Sequence, residues 1–579
     1  MDMVNVKVNG IDVQVPQNAT VLEAAKIAGI NIPTLCYLKD INEIGACRLC
    51  LVEVKGARGL VTACVYPVNE GMEIFTNTER VRAARKMNIE LVLSAHRKDC
   101  LSCIRSTSCE LQKLANEFGV DENYFNSDEK PITIDDSSVS IVRDASKCIL
   151  CRRCVAACSK LQETNIIAPQ NRGYDTTVAP YLGKMLGDTT CINCGQCIVA
   201  CPVGALYERD DTARIMEAIN DPTKHVAICC APSVRAQIGE CFGYEPGTDC
   251  EGKMVAALKR LGFDGVYDMN FTADLTIMEE ATELMGRIKN GGPLPLITSC
   301  SPGWIKFCEH YFPEFTDNLS TCKSPQQMFG AIYKTFYAKE LGIDPKDIVF
   351  VSAIPCTAKK FEVNRPGQDV DGMPGVDIAV TTRELGRLIN ASGINFRELA
   401  DEKFDTPVDV GSGAGVIFGA TGGVMEAALR TAADVILGTS LEKIEYNDVR
   451  GTEGIKFATY KLGDLTVNVA VASGTGNAKK LLNGIKSGEY KVDFVEIMAC
   501  PGGCVNGGGQ PLQPAVVRNS VDLRAVRAKV LYDADAKLPL RKSHENPEVQ
   551  RVYKEFLGEP NSELAHKLLH THYIKRGMD

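Results

Sequence analysis

Residues 191–202 read CINCGQCIVACP, and residues 148–158 read CILCRRCVAAC. The first is the bacterial C-x2-C-x2-C-x3-C-P run, the spacing with which thiolates hold cubane iron–sulfur clusters. The second repeats that spacing but carries Ser159 where the proline would stand. In a two-cluster unit the fourth cysteine of each run crosses to the other cluster. One [4Fe–4S] cluster is therefore expected on Cys148, Cys151, Cys154 and Cys201, and a second on Cys191, Cys194, Cys197 and Cys158. The crossing makes one small domain of the two stretches, expected over residues 141–210.

The rest of the chain is read outward from this pair. Its 579 residues are long enough for several domains, and 45% hydrophobic residues supply their cores. A net charge of -9 argues against nucleic acid, whose phosphates require clustered Lys and Arg. The start, MDMVNVKVNG, has no apolar signal region, and no stretch approaches the ~18 apolar residues of a membrane helix. A cytoplasmic, membrane-free protein is expected. There 25 cysteines are poor candidates for disulfides and good ones for metal ligation. Fifteen of them lie between Cys36 and Cys201, and none lies beyond Cys504.

Residues 3–16 alternate apolar and polar around Asn9-Gly10, which predicts a β-hairpin, and residues 20–29 predict a capped helix ending at Gly29. Cys36, Cys47, Cys50 and Cys64 follow, three in a loop and the fourth on an expected strand. This arrangement suits a [2Fe–2S] cluster in a β-grasp, ferredoxin-like domain over residues 1–78; the spacing taken alone leaves zinc open. HRKDCLSCIRSTSC, residues 96–109, offers His96, Cys100, Cys103 and Cys109. That set fits a structural zinc site or, among iron–sulfur neighbours, a His-ligated [4Fe–4S] cluster in a small helical domain over residues 79–140. Four clusters in series would form an electron wire, with the reaction at its end.

Strands and helices alternate after residue 210, predicting two α/β lobes with largely parallel sheets over residues 211–515. Three expected strands run into TSCSPGW (298–304), IPCTAKKFE (354–362) and MACPGGCVNGGGQP (498–511). Ligands collect at the carboxyl ends of such strands. Gly502, Gly503 and Gly507–Gly509 would let backbone approach a cofactor closely. Residues 516–579 are expected to form helices packed on this domain. Cys229, Cys230, Cys241, Cys250, Cys308 and Cys322 have no ligand spacing and read as buried free thiols.

The three cysteine segments resemble the signature loops of the [FeFe]-hydrogenase family, and the upstream motifs resemble its multi-cluster members. The resemblance covers essentially the whole chain, including GATGGVMEAALR and RKSHENPEV. It implies an H-cluster, a [4Fe–4S] cubane bridged by one thiolate to a di-iron unit carrying CO, cyanide and an azadithiolate. Cys356, Cys500 and Cys504 match three cubane ligands, Cys504 being the bridging one. The family's first loop normally has two adjacent cysteines, the first relaying protons and the second ligating iron. Here Cys300 matches the relay and Ser301 stands at the ligand position, where an alkoxide is a harder ligand than a thiolate. Ser301 ligating iron, a shifted loop in which Cys300 ligates and Ser301 relays, and a crippled site all remain open.

Glu280, Glu283, Ser320 and Arg287 match positions of the family's proton path, and Lys359 matches the lysine that hydrogen-bonds a cyanide. Pro232, Ser233, Gln326, Phe418 and Met498 match pocket-lining positions, and Ile354 stands where many members have Met. The implied reaction is reversible reduction of protons to H2. No G-x-G-x-x-G fingerprint follows a strand, so NAD(P) chemistry would sit on another chain. The implied electron partners are ferredoxin, or an NAD(P)-binding flavoprotein with small ferredoxin-like subunits. The competing readings are a hydrogen sensor with little turnover and a pure electron-transfer subunit.

Overall fold

The computed structural model describes residues 2–121, 124–125, 131–409, 411–437, 445–463 and 465–578. Residues 122–123 and 126–130 of the expected 79–140 domain thus lie outside the described residues.

At the amino end, strands Met3–Val8 and Ile11–Pro16 pair antiparallel, Val6 opposite Val13. Asn9 and Gly10 turn between them at φ +48° and +86°, the two positive values that a tight primed hairpin turn requires. The helix Val21–Ile27 is capped by a reciprocal Thr20–Glu23 pair. Three more strands complete a five-stranded sheet, with Glu73–Phe75 parallel to the first strand. Cys64 lies in the turn after the short strand Val61–Thr62, not on a strand as expected.

Helices Glu79–Ser94 and Glu110–Phe118 follow. Strand Ile141–Asp144 pairs with Leu206–Glu208, which closes the segment bearing both cysteine runs. Ser159 has a structural consequence here. Without a proline ring the helix Arg153–Ala156 runs on into a π turn, Ala157–Leu161, that carries Cys158.

The remainder forms two lobes. In the first, Gly265–Asp268, His225–Cys230, Ile348–Ile354 and Ile378–Thr381 make an all-parallel sheet. In the second, Leu296–Ile297, Phe494–Met498 and Leu465–Ser473 are parallel, and Ile455–Leu462 adds an antiparallel edge. The 21-residue helix Asn270–Asn290 runs between the lobes, contributing Phe271 and Leu275 to the first core and Ala273, Ile277 and Leu284 to the second.

The carboxyl-terminal helices Leu523–Lys537, Pro547–Val552 and Glu563–Leu569 are fastened to these lobes by buried polar contacts. Arg527 pairs with Glu240 (2.7 Å), Arg430 with Asp535 (2.8 Å), and Asn546 donates to Asp274 (2.9 Å). Among the described residues no helix is long and apolar enough to cross a membrane.

Candidate active site and its electron path

All 25 cysteines are free thiols. Cys148, Cys151, Cys154 and Cys201 line one cavity, and Cys158, Cys191, Cys194 and Cys197 line another, which is the crossed grouping. Burial pushes the Cys191 thiol up to about 11 and the Cys151 thiol up to about 12. These thiols ionise only when a cation draws the proton off, which fits a resident cluster. His96, Cys100, Cys103 and Cys109 line a third cavity. Burial lowers the His96 pKa, and its Nδ1 is buried without a hydrogen-bond partner, as a metal-ligating imidazole requires. Cys36, Cys47, Cys50 and Cys64 gather on one loop system, where the Cys47 N–H donates to Cys36 Sγ (3.5 Å) and Cys50 and Cys64 enter the sheet's core.

The contacts between these sites differ from a simple series. Asn42 Nδ2 donates to both the Cys36 carbonyl (2.8 Å) and the Cys151 carbonyl (3.0 Å). A Cβ on Gly204, just past Cys201, would meet Cys103 Sγ at 2.6 Å. Both amino-terminal sites therefore abut the Cys148/Cys151/Cys154/Cys201 site, and the layout is a fork. At the other end Cys500 Sγ lies 4.0 Å from the Cys194 carbonyl.

Three loops meet there. Cys356 stands two residues past strand Ile348–Ile354 of the first lobe, and Cys500 two residues past Phe494–Met498 of the second. Cys504 opens the single turn Cys504–Asn506, and burial pushes its thiol up to about 12. Burial raises the Cys300, Cys356 and Cys504 thiols, and the Lys359 ammonium opposes that rise at all three. Cys300 and Cys504 pack against the core that holds Phe418 and Met498. Ser301 precedes helix Pro302–Tyr311 without capping it; its Oγ accepts instead from the Ala499 N–H (3.1 Å), beside Cys500.

Ser233 Oγ, Gln326 Oε1 and Glu280 Oε2 are buried without hydrogen-bond partners. Unsatisfied buried polar atoms around a thiol cluster suit a group with polar ligands of its own. Pro232 begins the buried turn Pro232–Arg235, which carries Ser233 against Gly419. Lys359 Nζ donates to Glu362 Oε2 (2.9 Å), and that same oxygen accepts from Ser324 and Gln326 (both 2.7 Å). The glycines of the third loop also have a packing role. A Cβ on Gly507 would meet the Pro355 carbonyl at 2.2 Å, one on Gly508 the Cys194 carbonyl at 2.2 Å, and one on Gly503 the Thr421 nitrogen at 2.7 Å. They seat the loop on neighbouring polypeptide, including the cluster-bearing segment.

Glu280 and Glu283 lie one turn apart on Asn270–Asn290. Burial pushes the Glu280 carboxyl up to about 8, against a hydrogen bond from Ser320. Ser320 Oγ also lies 3.1 Å from Glu283 Oε2, so its single proton can serve either carboxyl. Glu283 Oε1 accepts from Arg287 Nη2 (2.6 Å), whose other contacts are carbonyls of Pro293, Asp317, Asn318 and Leu319. Sequence reasoning did not find Glu279, Thr321, Glu362, His570 or Asn42. Glu279 stands next to Glu280 in the sequence, and nothing local distinguishes its role. Asn42 and His570 reach their places only through folding and leave no local signal.

The fold and this assembly of thiol-lined sites define an iron–sulfur oxidoreductase with a buried terminal centre. Residues 224–508 match the family described as iron only hydrogenase large subunit, C-terminal domain, and residues 521–576 the iron hydrogenase small subunit. Residues 1–79 match a 2Fe-2S iron-sulfur cluster binding domain. Residues 85–123 match the NADH-ubiquinone oxidoreductase-G iron-sulfur binding region, and residues 147–205 a 4Fe-4S dicluster domain. The chain is 49% identical to the NADP-reducing hydrogenase subunit HndD of Solidesulfovibrio fructosivorans, over 100% of both chains. It is 44% identical to iron hydrogenase 1 of Clostridium pasteurianum, over 99% of this chain and 100% of that one. An apo [FeFe]-hydrogenase structure from Chlamydomonas reinhardtii covers 64% of this chain and 100% of its own, with 42% identity and TM-score 0.57. The chain belongs to the iron-only, or [FeFe]-, hydrogenases and is an enzyme of that family.

Proposed function

We propose that the chain catalyses the reversible two-electron reduction of protons to H2, working in the cytoplasm with one [2Fe–2S] cluster, three accessory [4Fe–4S] clusters and an H-cluster. When bound, the H-cluster supplies the redox chemistry of making and breaking the H–H bond. Cys356, Cys500, Cys504 and the residue before Pro302 would hold its cubane. The Ala499 N–H on Ser301 Oγ favours the unshifted register, with Ser301 at the ligand position and Cys300 left to carry protons.

The chain's own residues then have separable tasks. Lys359, anchored by Glu362, places positive charge among Cys300, Cys356 and Cys504. Phe418, Met498 and Pro232 exclude water, and the unpaired Ser233 Oγ and Gln326 Oε1 orient the bound group. Glu280, protonated near neutral pH, passes its proton toward Cys300 and is reloaded from Glu283 through Ser320. Electrons enter through the Cys36 and His96 sites, join at Cys148/Cys151/Cys154/Cys201 and leave through Cys191/Cys194/Cys197/Cys158. The 4.0 Å contact of Cys500 with Cys194 is the observation that carries this reading, because it sets the last accessory site directly against the buried centre.

The donor is ferredoxin, an NAD(P)-linked flavoprotein partner, or both; the full-length match to an NADP-reducing hydrogenase subunit supports the flavoprotein. Matured protein should evolve H2 from reduced ferredoxin and retain a flavoprotein on affinity capture. A Cys300→Ala variant that keeps full turnover would overturn the assignment of the relay.

A further inference from the structure

The hydrogen-bond network around Glu283 does not end at Arg287. Thr321 Oγ1 lies 3.2 Å from Glu283 Oε2 and 2.7 Å from His570 Nδ1. A hydroxyl has a single proton, so Thr321 can donate to the carboxylate or to the imidazole, but not to both. Beyond the ring, His570 Nε2 lies 3.0 Å from Glu279 Oε2. Glu279 is 0% exposed and already accepts from the Tyr553 hydroxyl and the Asn561 N–H. Both ring nitrogens of His570 are thus engaged, Nε2 by Glu279 and Nδ1 by Thr321.

The backbone at His570 is firmly held. His570 bridges antiparallel to Cys322, with the Lys323 N–H donating to the Leu569 carbonyl (2.7 Å) and the Thr571 N–H to the Thr321 carbonyl (2.8 Å). The ring of His566, an exposed residue, lies 4.2 Å from it, centroid to centroid. The other titratable groups facing it are Glu279 and Glu283 from the long helix, Cys322 from the loop and Tyr553 beyond Glu279. Burial raises Cys322 and Tyr553 and keeps both neutral.

Resting on the hydrogenase reading above, we infer that His570 is a second proton donor to Glu283, acting through Thr321, and gives the relay a mouth in the carboxyl-terminal segment. The imidazolium releases its Nδ1 proton to Thr321 Oγ1 while Thr321 releases its own to Glu283 Oε2. One N–H and one O–H bond break, two O–H bonds form, and imidazolium plus carboxylate become imidazole plus carboxylic acid. The ring regains its proton from water by turning Nδ1 away from Thr321 towards the exposed side at His566. The donor therefore comes from the stretch that matches the small-subunit family, not from the catalytic lobes.

The test uses the matured full chain carrying His570→Gln, Thr321→Val or Thr321→Ser, with Glu283→Gln for reference. His570→Gln and Thr321→Val should each lower H2 evolution several-fold, change the shape of its pH profile and raise the solvent deuterium isotope effect. Thr321→Ser should behave as the parent, and the double variant should be no worse than either single one. An unchanged rate and pH profile in both His570→Gln and Thr321→Val, with Glu283→Gln inactive, would overturn this branch alone. Glu283→Gln with full turnover would overturn the underlying relay. If His570→Gln does not fold, Thr321→Val against Thr321→Ser decides the matter.

Discussion

Glu280 shows how much chemistry one buried carboxyl can carry. Burial raises its pKa from 4.5 to about 8, with Glu283 nearby acting in the same direction. Between those values the folded chain keeps a proton that the unfolded chain releases. The stabilisation is therefore complete below about 4.5 and is lost as pH rises towards 8. A Glu280→Gln variant should flatten that part of the stability–pH curve in thermal unfolding. The same variant should lower H2 evolution by ~10²–10⁴-fold, the usual contribution of a positioned proton donor. Parental cluster signals in electron paramagnetic resonance would show the loss to be one of proton delivery. Ser301 is the residue whose role was least legible in the sequence. Its spacing says where it sits in the loop, but the Ala499 N–H that orients it lies just past strand Phe494–Met498, almost 200 residues away.

At the scale of elements, the local signals read well. The Asn9-Gly10 hairpin, the Thr20–Glu23 cap and the crossed cysteine runs all depend on neighbours in sequence or on a fixed motif. Long-range contacts did not. The third loop's Gly507 and Gly508 face carbonyls of Pro355 and Cys194, so they record docking between segments that the sequence does not show. A Gly508→Ala substitution places a Cβ 2.2 Å from the Cys194 carbonyl and must push the loop off the cluster-bearing segment. It should destabilise the protein by about 1–3 kcal/mol, the range for overpacking, seen as a lower melting temperature. It should also slow H2 evolution from reduced ferredoxin while leaving the iron content of the amino-terminal sites unchanged. Parental rates would show that this contact does not set electron delivery.

Over the whole molecule, the fork matters more than the number of clusters. Asn42 ties the Cys36 site to Cys151, and Gly204 brings the His96 site against the same centre. Spacing along the chain suggested a series, because it orders sites by residue number and carries no distances. With two entries, disabling the Cys36 site by Cys64→Ala should remove the [2Fe–2S] signal and turnover with one physiological donor, but leave turnover with a small dye. Complete loss with every donor would restore the series. The central claim is that the three loops around Cys300, Cys356, Cys500 and Cys504 build a working hydrogen-forming centre despite Ser301. The infrared spectrum of anaerobically matured protein, recorded under argon and then under hydrogen, tests it most directly. The account predicts CO and cyanide bands that shift when hydrogen is admitted; bands that do not respond, or none at all, would contradict it.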